Sequence, residues 1–323
     1  MRIAASLLAV ILLSFLPAVN AQSFPNKPIR LIVPYGAGGA SDILSRHLGA
    51  QLAEAWGQQV LIDNKPGASG LLGAELVAKS PPDGYTIMLG VPANLCIAPA
   101  LQPDALRYDP VKAFAPITSV ANIPVMIAVN PNVPAQNLAE FIALAKSKPG
   151  QINFGTAGTG GFPHLAGELF KVIAGVNIQH VPYKASVAAV TDMIGGRIDA
   201  VFDYLPSTMP QVRAGRARAL AIASASRSPA APDVPTVMES GLSNYQAISW
   251  FGVLAPAGTP KAVIDQYHRE ILRIVNTPEV RKQFASQGAE VFTNASPEEF
   301  ARLIQADTAR WTEVIKAANI KMN

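Results

Sequence analysis

Short apolar runs and longer amphipathic stretches alternate along this chain. Residues 29–34 are continuously apolar and end in a turn signal, which is typical of a buried parallel strand. Residues 42–56 then repeat large apolar side chains at four-residue spacing, which predicts an amphipathic helix capped by Ser41. Because this alternation continues almost to the C-terminus, the pattern predicts an α/β fold with mostly parallel sheets flanked by helices.

The same criteria predict the remaining elements. Helices are expected over residues 138–146, after Pro163, and in three patterns between Pro260 and the C-terminus. The helix after Pro163 is expected to pack one face on the core, formed by Leu165, Leu169, Val172 and Ile173. Further strands are expected at residues 60–62, 84–90, 117–129 with a break at Pro124, 152–154, 178–181, 198–202, 219–223 and, last, 248–254.

Two glycine-rich turns each connect a predicted strand to a predicted helix. Such a turn exposes backbone N–H groups, and the helix N-terminus adds partial positive charge, so each turn suits an anion. Two such turns in one chain predict a clamp that closes on a small anionic ligand. The candidate binding residues are Tyr35, Gly36, Ala37, Gly38, Gly39 and Ser41 in the first turn, and Thr156, Ala157, Gly158, Thr159, Gly160, Gly161 and Phe162 in the second.

Two residues near these turns complete the candidate binding site. His164 lies near the start of the second helix, where a hydrogen-bonded supporting role is favoured over catalysis. Asp203 follows the predicted strand 198–202, at a strand's C-terminal end, where open α/β sheets bind ligands. The alternative for Asp203 is a solvated carboxylate in a loop, and the sequence leaves both interpretations open.

The first 21 residues have the form of an export signal. Arg2 precedes an apolar run over residues 3–19, and small residues at Val19 and Ala21 predict cleavage after Ala21. The run is shorter than the ~20 residues that a membrane-spanning helix needs, which disfavours a membrane anchor. Residues 1–21 are therefore predicted to be a signal peptide that is removed on export.

The length of the remaining chain, about 300 residues, indicates two domains. Proline and glycine are spread between the elements and no low-complexity linker divides the chain, so we expect the chain to cross between the domains twice. The candidate crossing points are residues 121–124 and 224–231. This predicts one domain from residues 22–122 plus 226–323, and an inserted domain from residues 123–225.

Composition and motif spacing argue against several classes of protein. The net charge is only +4 and no basic run occurs, so we expect no nucleic-acid partner. The single cysteine, Cys96, permits no internal disulfide. The four histidines show no metal-ligand spacing, no Gly-x-Ser-x-Gly elbow occurs, and the glycine turns lack the dinucleotide spacing. We therefore expect no metal, no cofactor and no enzymatic activity.

Six segments carry recognisable motifs: residues 34–46, 63–70, 154–170, 180–184, 235–241 and 250–260. In this order they resemble the substrate-binding proteins of tripartite tricarboxylate transporters, the Bug family. The resemblance implies a periplasmic two-domain protein of the Venus-flytrap type that holds a small carboxylate between two loops and delivers it to membrane transporter subunits. It implies binding through backbone N–H groups, hydroxyls and bridging waters, with Asp203 as a pocket acid. We expect a monomer; a periplasmic enzyme or a sensory binding protein on the same fold is the alternative.

Two positions depart from the pattern of similar proteins. Gly161-Phe162-Pro163 stands where those proteins carry Ser or Thr, and Ala185 stands where they favour glycine. Losing hydroxyls and gaining a phenyl ring predicts a carboxylate with an apolar or aromatic body rather than a hydroxylated acid such as citrate. The alternative is that Phe162 points into the core and packs with Leu165 or Phe170.

Overall fold

The computed structural model describes residues 24–317, which form a mixed α/β fold. The predicted signal peptide lies outside the described residues. No helix within residues 24–317 has the length and apolarity needed to cross a membrane. The strands, in chain order, are β1 Ile29–Val33, β2 Val60–Asn64, β3 Thr86–Gly90, β4 Phe114–Val129, β5 Asn153–Ala157, β6 Gln179–Tyr183, β7 Ala200–Tyr204, β8 Arg218–Ile222, β9 Ile248–Pro256 and β10 Glu290–Val291.

Helices connect most of these strands. Two 3₁₀ turns, Ala68–Gly70 and Pro103–Ala105, and a π-helical segment, Ala93–Ile97, supplement them. The α-helices are α1 Ala40–Trp56, α2 Leu71–Ala78, α3 Ala98–Leu101, α4 Leu138–Ser147, α5 Phe162–Ala174, α6 Ser186–Ile194, α7 Leu205–Arg213, α8 Lys261–Val275, α9 Pro278–Ser286 and α10 Pro297–Ala317.

Two parallel triplets of strands form the halves of the sheet. β1 lies between β2 and β3, and β5 lies between β6 and β7, and all pairs within each triplet are parallel. The long strands β4 and β9 join the triplets through antiparallel pairs, so the strand order is β2-β1-β3-β9-β4-β7-β5-β6. The predicted alternation of strands and helices is therefore confirmed, and the connecting strands make the sheet mixed.

The predicted break at Pro124 is wrong, because β4 runs straight through this residue. Residues 114–124 pair with β9, and residues 125–129 pair with β7 and β8. Pro124 has no N–H to donate, but it lies at the point where β4 changes its partner strand, so the proline is tolerated there. The N–H of the next residue, Val125, donates to Ala247 O at 2.9 Å. One strand thus belongs to both halves of the sheet.

Two local predictions on the helices are also wrong. Ser41 is not the N-cap of α1, because Gly39 takes that position and no side chain caps the helix. Val172 does not face the core, since its side chain is 64% exposed. In α5 the buried face contains Leu165 and Phe170, and Val172 lies two residues after Phe170, about 200° around the helix.

Candidate ligand-binding site

A cavity lies where the C-terminal ends of five strands meet, namely β1, β3, β5, β6 and β7. This is the edge at which open α/β sheets bind ligands. About 510 Å³ of space in and around the cavity is free of protein atoms, and this volume includes the solvent at its opening. Its lining residues are Tyr35, Gly36, Gly39, Ala40, Ser41, Val91, Ala93, Ala157, Gly161, Phe162, Pro163, Lys184, Ala185, Ser186, Asp203 and Tyr204.

Four helices begin at this cavity, and none of them has a side-chain cap. Asn137 and Thr277 cap α4 and α9 by accepting hydrogen bonds from backbone N–H groups, whereas α2, α3 and α8 also lack a side-chain cap. The first turn of an uncapped helix presents N–H groups and partial positive charge. Although Pro163 and Pro206 remove one N–H each from α5 and α7, the convergence of four such turns on one cavity forms a setting for an anion. The N-cap residues of α1, α5, α6 and α7, all on the cavity wall, are Gly39, Gly161, Ala185 and Tyr204.

The first loop is held in place by a network around Asp42. Gly38 has a φ of +78°, and its N–H donates to Asp42 Oδ2 at 2.9 Å. Arg46 Nε donates to the same oxygen at 2.9 Å. Burial acts to raise the pKa of Asp42, but the hydrogen bonds from Arg46 and Gly38 outweigh it and lower that pKa. The Gly38 N–H is therefore used to shape the loop.

The second loop is held by two stacked histidines. The Gly160 N–H donates to His164 Nδ1 at 3.0 Å, and Thr156 Oγ1 lies 2.7 Å from His180 Nε2. The two imidazole rings stack with centroids 4.0 Å apart. Burial, and then the neighbouring His164, lowers the pKa of His180 to about 3; burial also lowers the pKa of His164. Both rings are thus neutral at pH 7, and His164 Nδ1 remains an acceptor.

Asp203 is a buried acid on the cavity wall, with only 3% of its surface exposed. Its carboxylate accepts hydrogen bonds from Ser186 Oγ, from the Tyr204 N–H at 2.8 Å and from Thr208 Oγ1 at 3.4 Å. Burial raises the pKa of Asp203 to about 6, and these hydrogen bonds partly offset that effect. Within residues 24–317, no basic side chain forms an ion pair with it. The solvated-loop alternative is therefore wrong.

Aromatic rings form one side of the cavity. Phe162 is 1% exposed, and its ring lies nearly parallel to that of Tyr204, with 14° between the planes and 6.3 Å between centroids. Trp311 contacts Phe162 edge-on at 5.3 Å, and Phe251 contacts Tyr204 edge-on at 5.1 Å. Phe162 is thus buried but also lines the cavity, with Tyr204 and Trp311 as its aromatic neighbours.

The two sides of the cavity touch each other directly. A Cβ atom built on Gly36 would lie 2.7 Å from Ala185 Cβ, which is closer than such atoms approach. Ser69 Oγ donates a hydrogen bond to Thr159 O across the same gap. The hydroxyl of Tyr35 donates to Ser69 O at 3.2 Å and so connects this contact to the cavity wall.

The predicted site residues divide into three groups. Gly158 and Thr159 line a neighbouring cleft, together with Tyr35 and Ala157. Neither space is lined by Ala37, Gly38, Thr156, Gly160 or His164. All of these except Ala37 hold the loops in shape through the hydrogen bonds described above. The residues that line the cavity itself are Tyr35, Gly36, Gly39, Ser41, Ala157, Gly161, Phe162 and Asp203.

Sequence reasoning missed eight of the sixteen residues of the cavity wall, and four of the eight are Lys184, Ala185, Ser186 and Tyr204. The rule that singled out Asp203, a residue at the C-terminal end of a strand, applies equally to them. Lys184 to Ser186 follow β6 directly, and Tyr204 ends β7. Applying the rule to every predicted parallel strand would have found them.

Neither a metal-ligand cluster nor an activated thiol occurs in the described part of the chain. No group of three His, Cys, Asp or Glu side chains within residues 24–317 is placed to hold a metal ion. Burial raises the pKa of the Cys96 thiol to about 12, so this cysteine is not a thiolate nucleophile.

The fold and the cavity define a two-domain solute-binding protein of the periplasmic type. Residues 44–320 match the family model described as "Tripartite tricarboxylate transporter family receptor". The chain belongs to this family, which confirms the resemblance found in the sequence. Protein BugT of Bordetella pertussis (strain Tohama I) is 35% identical over 305 residues, which cover 94% of this chain and 93% of BugT.

Solved structures of similar proteins share the whole fold. The periplasmic binding protein BugD is 33% identical with a TM-score of 0.87, covering 93% of this chain and all of BugD. Rpa4515 of R. palustris, solved with adipate, is 35% identical with a TM-score of 0.89, covering 92% and 99% of the two chains. MatC from Rhodopseudomonas palustris, solved with malate, is 31% identical with a TM-score of 0.84, covering 90% and 100%.

Proposed function

We propose that this chain is a periplasmic receptor that captures a small carboxylate between two domains and delivers it to the membrane subunits of a tripartite tricarboxylate-type transporter. The observation that carries the proposal is the set of four uncapped helix N-termini around one cavity. Backbone N–H groups are directional donors that recognise a carboxylate without a cationic side chain. The related proteins with adipate and malate support the carboxylate class.

The remaining parts of the proposal concern processing, domain organisation and assembly. Cleavage after Ala21 would release a mature monomer into the periplasm. The domains would be residues 22–122 with 226–323, and residues 123–225; the change of partners in β4 between Pro124 and Val125 supports the first boundary. The ligand would be bound without chemical change. The one hydroxyl–carboxylate pair on the cavity wall, Ser186 with Asp203, has no basic side chain hydrogen-bonded to it within residues 24–317.

A thermal-shift screen of mono-, di- and tricarboxylates tests the proposal. A ligand present at ~100 times its Kd stabilises the folded state by about 2.7 kcal/mol, which raises the melting temperature measurably. We expect at least one acid to do so, and chromatography should return it unchanged after incubation. If no carboxylate raises the melting temperature, or if the bound acid is converted to product, the proposed function is wrong.

A further inference from the structure

The carboxyl group of Asp203 is hydrogen-bonded at the beginning of two of the four helices that start at the cavity. Its Oδ2 accepts hydrogen bonds from Ser186 Oγ and from Thr208 Oγ1, the latter at 3.4 Å. Its Oδ1 accepts one from the Tyr204 N–H at 2.8 Å. Ser186 is the first residue of α6, and Tyr204 is the N-cap residue of α7. The beginnings of α6 and α7 are therefore already bonded to an acid of the protein itself.

The N-termini of α1 and α5 remain for the carboxylate of a ligand. Neither helix has a side-chain cap, and their N-cap residues, Gly39 and Gly161, lie on the same cavity wall as Asp203. A ligand carboxylate bound there shares one cavity with Asp203. Two ionised carboxylates in one buried site repel each other, and the repulsion is relieved when one of them takes up a proton.

The groups around Asp203 supply little positive charge to offset this repulsion. Within residues 24–317 no basic side chain forms an ion pair with Asp203, and Lys184, the only basic residue that lines the cavity, is exposed. Burial raises the pKa values of the Tyr35 and Tyr204 hydroxyls, so both stay uncharged. The strand β4 pairs Met126 with Asp203, and α6 and α7 contribute the hydroxyls described above.

The hydrogen bonds of Asp203 leave room for a proton on one of its oxygens. A carboxylate oxygen has two lone pairs that can accept hydrogen bonds. Oδ2 accepts from two hydroxyls, whereas within the described residues Oδ1 accepts from the Tyr204 N–H alone. Burial already raises the pKa of Asp203 to about 6, so a neighbouring anion has only to move it past neutral pH for the acid to be uncharged in the complex.

We propose that the cavity binds a proton together with its ligand: as the ligand carboxylate binds the N-termini of α1 and α5, Asp203 Oδ1 takes up one proton from the solvent. This rests on the proposed function, because it concerns the same cavity and the same class of ligand. The proton removes the repulsion between the two carboxyl groups, and the new O–H of Asp203 is a hydrogen-bond donor for an oxygen of the ligand.

The coupling fixes how the affinity depends on pH. The pKa of Asp203 is about 6 in the free protein and higher in the complex, so binding is tightest below the free value and weakens as the pH rises. The Kd increases by at most about tenfold per pH unit, and the increase ends above the pKa of the complex.

Calorimetric titration of the full mature chain with adipate and with malate tests this inference, because the carboxyl groups of both acids are ionised at pH 7 and pH 8. Titrations at pH 7 in HEPES and in Tris report the number of protons taken up, since the two buffers differ in their heat of ionisation. We expect uptake of about half to one proton, and a Kd about three- to tenfold higher at pH 8 than at pH 7. Asp203→Asn, whose amide does not ionise, should show neither effect, and the exposed Asp233→Asn should behave as wild type.

The outcomes separate the inference from the function on which it rests. If wild type binds without proton uptake and with the same Kd at both pH values, or if Asp203→Asn keeps the uptake, the proton site is wrong and the carboxylate receptor stands. If neither acid binds, the tightest acid from the thermal-shift screen takes their place, and if no carboxylate binds, the proposed function itself fails. The measurements on wild type decide the question even if Asp203→Asn does not fold.

Discussion

At the scale of single residues, Asp203 carries the clearest cost to the fold. Its carboxyl group is buried, so its pKa is raised from 3.8 to about 6 in the folded protein. A group whose folded pKa is raised contributes stability that is complete below its unfolded pKa, near 4, and is lost as the pH rises through about 6. At pH 8 the buried carboxylate therefore destabilises the ligand-free protein, by about 3 kcal/mol at most.

Replacing Asp203 by asparagine should remove this pH dependence. Relative to wild type, Asp203→Asn should gain stability between pH 4 and pH 8, because the amide stays neutral throughout this range. Urea unfolding of the ligand-free proteins at both pH values measures the difference. The exposed Asp233→Asn serves as the control and should show no such gain. An equal difference between Asp203→Asn and wild type at pH 4 and pH 8 would show that Asp203 is not strained by burial.

At the scale of elements, the N-terminus of α1 is where a backbone donor can be removed without losing the helix. Proline is tolerated in the first helical position, and Gly39 before it already has the extended backbone that proline requires. Ala40→Pro should therefore fold and yet lose one N–H group from the cavity. A charge-assisted hydrogen bond is worth about 1.5–3 kcal/mol, so affinity for the carboxylate should fall roughly 10- to 150-fold. Ala40→Ser keeps the N–H and should bind within a few-fold of wild type; equal affinities of the two variants would refute binding through this helix.

The stacked histidines behind the second loop make that loop sensitive to acid. The pKa of His180 falls from 6.5 to about 3 on folding, so the unfolded chain binds the proton more readily. The stability of the folded state should therefore decline as the pH falls from about 6.5 towards 3, by at most about 1.4 kcal/mol per pH unit for this group. Glu168 and Lys171 face the pair as well, and the Glu168 carboxylate lies 3.7 Å from His164 Nε2.

His180→Gln should remove part of this acid sensitivity. Because Asp203 is present in both proteins, the difference in unfolding free energy between wild type and His180→Gln isolates the histidine. We expect this difference to shrink from pH 7 to pH 4.5 when measured by urea unfolding. Parallel pH profiles for the two proteins would contradict the account of the buried neutral pair.

The elements that sequence patterns predicted are those with strong local signals. Both glycine turns were found because glycine punctuates a clear strand and a clear helix. The helices α6 and α7 were missed because each has only nine residues, and α7 contains Pro206 and Pro210. The break predicted at Pro124 was wrong because the effect of a proline on a strand depends on which strands lie beside it. Those strands are distant in the sequence and cannot be read from the local pattern. Because these two short helices were not predicted, Ser186 and Tyr204 at their N-termini were not predicted as site residues either.

At the scale of the whole molecule, we expect the two sides of the cavity to close on the ligand. Gly36 lies against Ala185 in this contact, so Gly36→Ala should obstruct closure by a direct clash. An overpacked contact costs roughly 1–3 kcal/mol, so binding should weaken by about tenfold or more. Gly195→Ala is the matched control, because a Cβ at that position meets its nearest neighbour at an ordinary 3.5 Å.

Small-angle scattering should show the same closure. Ligand between the domains favours the closed form by its differential affinity, so the radius of gyration of wild type and of Gly195→Ala should fall on saturation. The radius of Gly36→Ala should change less. If the radius of gyration of Gly36→Ala falls as much as that of wild type, the contact between Gly36 and Ala185 does not limit domain closure.

The most direct test of the central claim is a crystal structure of the protein with its tightest-binding carboxylate. We expect carboxylate oxygens about 3 Å from backbone nitrogens in the first turns of α1 and α5, with the body of the ligand beside Phe162 and Tyr204. A carboxylate held instead by a lysine or arginine side chain, or bound in the cleft beside Ser69 and outside this cavity, would contradict this claim.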